Sequence, residues 1–126
     1  MIELKLYKIL NKECDVRLPY PQEQDWEFCA GDYKRTMDYI MFYNKHSSNI
    51  SDFEKDLLIN MIIQGIEDYL YYSEGKENIE YLWNDTKRIL IKDKHKRTII
   101  YWSCIGEDLV DCWYITPKMR ELLFQV

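Results

Sequence analysis

The sequence predicts an α+β fold in which a small antiparallel sheet packs with about three main helices. Residues 2–10 alternate apolar and polar side chains, as a half-buried strand does. Residues 51–73 carry apolar side chains at helical spacing. Residues 97–115 contain two β-branched and aromatic runs around a turn. With 126 residues, the chain is predicted to form a single domain, 1–126.

The first half of the chain is predicted to contain one strand and two helices. The strand "IELKLYKIL" is followed by a polar loop with two prolines. A first helix is predicted from Tyr33, with Asp32 as a candidate cap. Its apolar face is predicted to comprise Tyr33, Met37, Ile40, Met41 and Asn44.

The second helix has the clearest sequence signals. Ser51 and Glu54 have the spacing of a capping box, and Gly75 is a plausible C-terminal stop. Gly65 inside the helix costs about 1 kcal/mol relative to alanine. We therefore expect close packing against a neighbouring element, or a slight bend, at this position.

Residues 76–97 allow two interpretations. Their apolar residues fit one helix face, but "NDT" is typical of turns and "RILIK" of strands. The turn and strand signals favour a short helix to about Trp83, followed by strands near 87–92 and 97–104. Whether residues 76–92 form one helix or a helix and a strand stays open at this point.

The last part of the chain is predicted to be a hairpin followed by a helix. The strands "TIIYWSC" and "LVDCWYI" flank "IGED", and both sheet faces would be largely apolar. A three-residue loop offsets Cys104 from Cys112 by one pair, which disfavours a disulfide between them. Thr116 is then predicted to cap the last helix, with Pro117 in its first turn.

Charge and cysteine usage narrow the classes of function. The net charge of −5 disfavours a general nucleic-acid binder, although residues 87–97 carry six basic residues and one acidic residue. Charged residues interrupt the first ten residues, so a signal peptide is not expected. The cysteines, Cys14, Cys29, Cys104 and Cys112, lack metal-ligand spacing. We expect a cytoplasmic protein with reduced thiols, no metal and no cofactor.

The sequence offers few groups for catalysis. Both histidines, His46 and His95, have polar neighbours typical of solvated loops. A pair between Cys104 and His95 stays possible, but no spacing favours it. Adjacent acidic residues at 67–68 on a helix point about 100° apart, so they do not resemble an acid–base pair. We therefore expect no enzymatic activity and no catalytic residues.

Surface recognition is the better-supported role. The second helix ends in "EDYLYYSEG", and Tyr71 and Tyr72 cannot both lie on its core stripe. Exposed tyrosines among carboxylates suit a basic protein partner, although these tyrosines could equally cover a neighbouring loop. The predicted partner-binding residues are Glu67, Asp68, Tyr71, Tyr72, Glu74, Trp102, Glu107 and Asp108.

In size, acidity and aromatic content the chain resembles immunity proteins that neutralise bacterial polymorphic or contact-dependent toxins. Its ending "IIYWSCIGEDLVDCWYITPKMRELL", residues 99–123, is similar to their strand–turn–strand–helix endings. The resemblance implies a protein that inhibits a cognate toxin, often a nuclease, by direct binding as a heterodimer. The alternatives are a small enzyme with a Cys/His site and a regulatory module that binds nucleic acid through residues 87–97.

Overall fold

The structure is a computed structural model that describes residues 35–125. Over this range the chain forms five α-helices and one short 3₁₀ helix, Leu109–Asp111, and contains no strand. The helices are α1 (Thr36–His46), α2 (Asp52–Tyr72), α3 (Glu80–Lys92), α4 (Lys96–Ser103) and α5 (Thr116–Leu122). The predicted α+β fold is therefore wrong, because the described chain is all-helical. The predicted strand at residues 2–10 and the following loop lie outside the described residues.

The chain divides into two compact units, Met1–Gly65 and Ile66–Val126. In the first unit, α1 confirms a helix in this part of the chain, although Tyr33 and Asp32 lie outside the described residues. Its buried side chains are Thr36, Tyr39, Ile40, Phe42 and Tyr43, whereas Met41 is exposed. The buried stripe thus follows i, i+3, i+4 and i+7 spacing, rotated from the face that the sequence predicted.

Helix α2 begins at the predicted capping box. The Ser51 amide donates to the Glu54 carboxylate over 3.0 Å, and the Glu54 amide donates to the Ser51 hydroxyl over 3.1 Å. Gly65 lies so close to Thr36 of α1 that an added Cβ would overlap the threonine hydroxyl. The expected close packing at Gly65 is confirmed, and it explains why alanine, the better helix former, is absent there.

Both strands predicted within residues 87–104 are helical. In α3 the buried residues are Leu82, Trp83, Thr86, Ile89 and Leu90, at the spacing of one helix face. The threonine of the "NDT" stretch donates its hydroxyl to the Leu82 carbonyl over 2.8 Å, so it bonds within the helix instead of ending it. The helical period of the buried side chains therefore prevails over local β propensity.

Helix α4 replaces the first strand of the predicted hairpin. Its buried residues Thr98, Ile99, Trp102 and Ser103 lie at helical spacing. Helix α4 packs against α5, and α5 has Pro117 in its first turn as predicted. Thr116 is the first residue of α5; its hydroxyl accepts from the Trp113 amide and donates to the Trp102 carbonyl.

Among the described residues, none of the helices combines the length and the apolar character needed to cross a membrane.

Candidate functional site

A group of exposed apolar side chains, Ile105, Leu109 and Val110, lies in the segment between α4 and α5. Residues 105–111, here called the acidic loop, are all exposed. Val110 is 88% exposed and Ile105 is 62% exposed. Three carboxylates, those of Glu107, Asp108 and Asp111, lie among these apolar side chains. The acidic loop thus combines apolar area and negative charge on a single segment.

Arg120 of α5 fixes the base of the acidic loop. Its Nε donates to the Ser103 carbonyl over 2.7 Å. Its Nη2 donates to the carbonyls of Cys104 and Glu107, each over 2.8 Å. The guanidinium therefore satisfies carbonyls at the C-terminal end of α4, where the helix dipole also favours a positive charge. One side chain thus ties the end of α4 to the start of the acidic loop.

Backbone bonds also order the acidic loop from within. The Asp111 amide donates to the Asp108 carbonyl over 2.9 Å, which closes the 3₁₀ turn. The Glu107 amide donates to the Cys104 carbonyl over 3.3 Å. Gly106 has a φ of 92°, in the region that favours glycine. The exposed side chains are therefore displayed on a bonded backbone.

Two cysteine thiols lie at the two ends of the acidic loop. Cys104 precedes it and Cys112 follows it, and both are reduced and half-buried. The Cys112 thiol donates to the Asp108 carbonyl over 3.2 Å. Partial burial, together with a hydrogen bond to the Cys104 thiol, raises the pKa of Cys112 to about 11. Cys112 is therefore a neutral thiol near pH 7.

An aromatic trio of Tyr101, Trp102 and Trp113 lies next to the acidic loop. The ring centroids of the two tryptophans are 4.6 Å apart, and Tyr101 lies 5.3 Å from Trp113. Trp102 is 1% exposed, whereas Tyr101 is exposed and Trp113 is half-buried. Trp102 therefore belongs to the core and cannot contact a partner directly.

The predicted partner-binding residue Glu67, like Trp102, is buried in the structure. Its carboxylate accepts the amide of Tyr114 at 3.0 Å and the amide of Ile115 at 2.9 Å. Burial raises the pKa of Glu67, the two backbone hydrogen bonds lower it, and the adjacent Asp68 carboxylate raises it. The net shift is upward. Glu67 thus connects α2 to the segment before α5, a structural role.

The other predicted residues on α2 lie nearer the surface. Tyr71 and Tyr72 are exposed, and their rings meet edge to face with centroids 5.4 Å apart. Asp68 is half-buried and Glu74 is exposed. Glu107 and Asp108 complete the exposed members of the predicted set. The structure therefore gives two exposed groups, one at the end of α2 and one in the acidic loop.

The geometry of α4 opposes the Cys–His pair considered from the sequence. His95 is the residue before α4 and Cys104 the residue after it. A rise of 1.5 Å per residue separates their backbones by about 13 Å. The two side chains cannot span this separation to bring the thiol and the imidazole within the about 3 Å of a hydrogen bond. His95 is buried, and the His46 ring lies against Phe42 with centroids 4.4 Å apart.

Within residues 35–125, no group of three or more His, Cys, Asp or Glu residues could hold a metal.

The basic tract of residues 87–97 spans the second half of α3 and the start of α4. Most of its basic side chains are exposed, and Arg88 lies 3.3 Å from Asp85 in an exposed pair. Such a pair contributes little to stability.

Sequence reasoning missed the apolar part of the acidic loop and the role of Arg120. The hairpin prediction assigned Val110 to one of two largely apolar sheet faces and not to an exposed loop. Arg120 gave no signal, because its partners are backbone carbonyls that any sequence supplies. The only usable signal was Gly106 followed by two acidic residues, which predicted an exposed turn.

The fold and the site together define an all-helical unit with an ordered, exposed acidic and apolar loop. No protein-family model, no curated protein and no solved structure matches the chain.

Proposed function

We propose that this chain is a non-catalytic protein-binding domain whose contact surface is the acidic loop. The observation that carries the proposal is the exposure of Val110 and Ile105 on a backbone that Arg120 holds in place. Apolar side chains grouped on a surface and rimmed by charge are typical of protein-interaction sites. An ordered loop also loses less conformational entropy on binding than a flexible one.

The chemistry of the loop indicates a partner with basic residues around an apolar patch. Glu107, Asp108 and Asp111 supply negative charge, and the chain as a whole carries −5. Such carboxylates accelerate the encounter with a basic surface and select against acidic partners. Val110, Ile105 and Leu109 would then be buried, each contributing up to about 2 kcal/mol of transfer free energy.

A cognate toxin, bound in the cytoplasm as a heterodimer, is the most specific form of this proposal. Its support is the small size, the acidity and the aromatic content of the chain. The resemblance in residues 99–123 no longer contributes, because this stretch forms helices and not a strand–turn–strand unit. Tyr71, Tyr72, Asp68 and Glu74 stay predicted as a second contact group.

The test is co-purification with the product of the adjacent gene, followed by titration calorimetry. Val110→Ser combined with Asp108→Lys should weaken binding at least tenfold, or about 1.4 kcal/mol, because it removes both an apolar and an acidic contact. Tyr81→Ser with Glu80→Lys is the matched control, since it makes the same kinds of change at exposed positions of α3.

Each outcome has a distinct meaning. Weakened binding by the loop variant but not by the control supports the proposed surface. Equal binding by both variants would exclude the acidic loop, and a Tyr71→Ser, Tyr72→Ser variant would then test the end of α2. Absence of any complex with the adjacent product would refute the toxin partner.

A further inference from the structure

Cys104 and Cys112 are brought together by the fold of the acidic loop. The Cys112 Sγ lies 3.9 Å from the Cys104 carbonyl oxygen, and Arg120 Nη2 donates both to that carbonyl and to the Cys112 Sγ. The hairpin register that offset the two residues is absent, so the geometric objection to their pairing is removed. Both side chains are half-buried, which leaves them accessible to a small reagent in solution.

The backbone makes a left-handed turn at Cys104, the residue that follows α4. Cys104 has φ 51° and ψ 49°, the left-handed conformation that usually selects glycine after a helix. A side chain with a Cβ is less stable there than glycine, by roughly 1 kcal/mol. Glu74 and Lys94 have a similar positive φ after α2 and α3, so the turn places Cys104 at the start of the acidic loop and the pairing rests on its position relative to Cys112.

We propose that Cys104 and Cys112 are a dithiol–disulfide pair, which a low-molecular-weight disulfide such as oxidised glutathione converts into a bond that closes the acidic loop. This modification goes beyond the proposed function, because the disulfide forms whether or not the loop binds a protein. It also places a covalent link between the end of α4 and the residue that follows the 3₁₀ helix.

The reaction is two successive exchanges. The Cys104 thiolate attacks one sulfur of glutathione disulfide, its S–S bond breaks, and one glutathione thiolate leaves. The Cys112 thiolate then attacks the Cys104 sulfur of the mixed disulfide, and the second glutathione leaves. The two cysteine protons end on the two glutathione thiols. The protein is oxidised by two electrons, and glutathione disulfide is reduced to two glutathione molecules.

The disulfide would remove the hydrogen that Cys112 donates to the Asp108 carbonyl. The Arg120 bonds to the carbonyls of Cys104 and Glu107 need no thiol and can persist. Residues 105–111 would then be enclosed by a bond between positions 104 and 112.

The test uses the full chain with Cys14→Ser and Cys29→Ser, so that only the proposed pair stays reactive. The protein is incubated with glutathione disulfide, quenched in acid, alkylated, cleaved after Glu107 and analysed by mass spectrometry. We expect a monomer that has lost two hydrogens, about 2 Da, with its two cysteine peptides linked. Dithiothreitol should restore both alkylation sites.

The control variants are Cys104→Ser and Cys112→Ser in the same background. Each has one thiol and should keep one glutathione as a stable mixed disulfide. Two glutathiones on the paired chain, or two alkylated thiols after oxidation, would overturn the proposal. Circular dichroism verifies folding; if the background variant does not fold, the same peptide mapping is done on the unmodified chain, with the same two outcomes decisive.

Discussion

Replacement of Glu67 by alanine tests whether this carboxylate is structural. The change removes the hydrogen-bond acceptor of two backbone amides. The Ile115 amide is buried, and the Tyr114 amide is partly buried. An unsatisfied buried donor costs about 1–3 kcal/mol. The partly buried donor costs less, and removal of a buried carboxylate returns some desolvation energy. We therefore expect Glu67→Ala to lower the free energy of unfolding by about 2 kcal/mol.

Urea titration monitored by tryptophan fluorescence measures this loss. The matched control is Glu121→Ala, which removes an exposed carboxylate from α5 and should stay within about 0.5 kcal/mol of the unmodified chain. A Glu67→Ala variant as stable as the Glu121→Ala control would refute the structural role. It would return Glu67 to the set of residues available to a partner.

The pH dependence provides a second test of Glu67. Its pKa in the folded chain is raised above the usual 4.5, chiefly by burial. A group with a raised folded pKa contributes stability that is fully present below its unfolded pKa and is lost as pH rises through its folded pKa. The stability advantage of the unmodified chain over Glu67→Gln should therefore shrink between pH 4.5 and neutrality. A constant or growing advantage would contradict the upward shift.

Two further substitutions test the packing and the start of α2. Gly65→Ala should lower the free energy of unfolding by about 1–3 kcal/mol, because the new methyl group overlaps the Thr36 hydroxyl. Adding Thr36→Ala should recover part of this loss in urea titrations. If the double variant lost the sum of the two single-variant losses, the contact between positions 65 and 36 would be contradicted. Ser51→Ala should cost about 1 kcal/mol, since it removes the acceptor of the Glu54 amide. Faster amide exchange in the first turn of α2 should accompany that loss, and unchanged exchange would disprove it.

Two helix signals that depend on local chemistry were predicted correctly, whereas Thr116, predicted to cap the last helix, is its first residue. The capping box at Ser51 and the proline at position 117 each act within a few residues, so their effect does not depend on the rest of the fold. Gly65 was also informative, because a glycine inside an apolar helix has few explanations other than close packing or a bend.

The strands predicted within residues 87–115 are wrong because β-branched and aromatic residues fit buried helices as well as sheets. In residues 98–103, Thr98, Ile99 and Trp102 are buried, whereas Ile100 and Tyr101 are exposed. Alternation along a strand would have grouped Ile100 with Trp102. The helical grouping is decided by packing that brings together distant parts of the chain, and local propensity does not contain it.

The candidate site was only partly predictable for the same reason. Acidic residues at 107–108 predicted an exposed turn correctly, because a glycine and two carboxylates disfavour burial. Glu67 looked like a surface carboxylate, since nothing nearby in sequence reveals that the amides of residues 114 and 115 need an acceptor. Buried charges that bind distant backbone groups leave no local pattern.

The side chains of Glu67 and Arg120, on either side of the acidic loop, make their hydrogen bonds to the backbone. Arg120 binds carbonyls at the N-terminal side of the loop, and Glu67 binds amides shortly after its C-terminal side. Substitution of either residue would change the conformation of the loop while leaving Val110 and its neighbouring carboxylates chemically intact. Loss of binding in such variants would therefore report on loop geometry. Only exposed positions such as Val110 and Asp108 can show whether the loop surface itself contacts a partner.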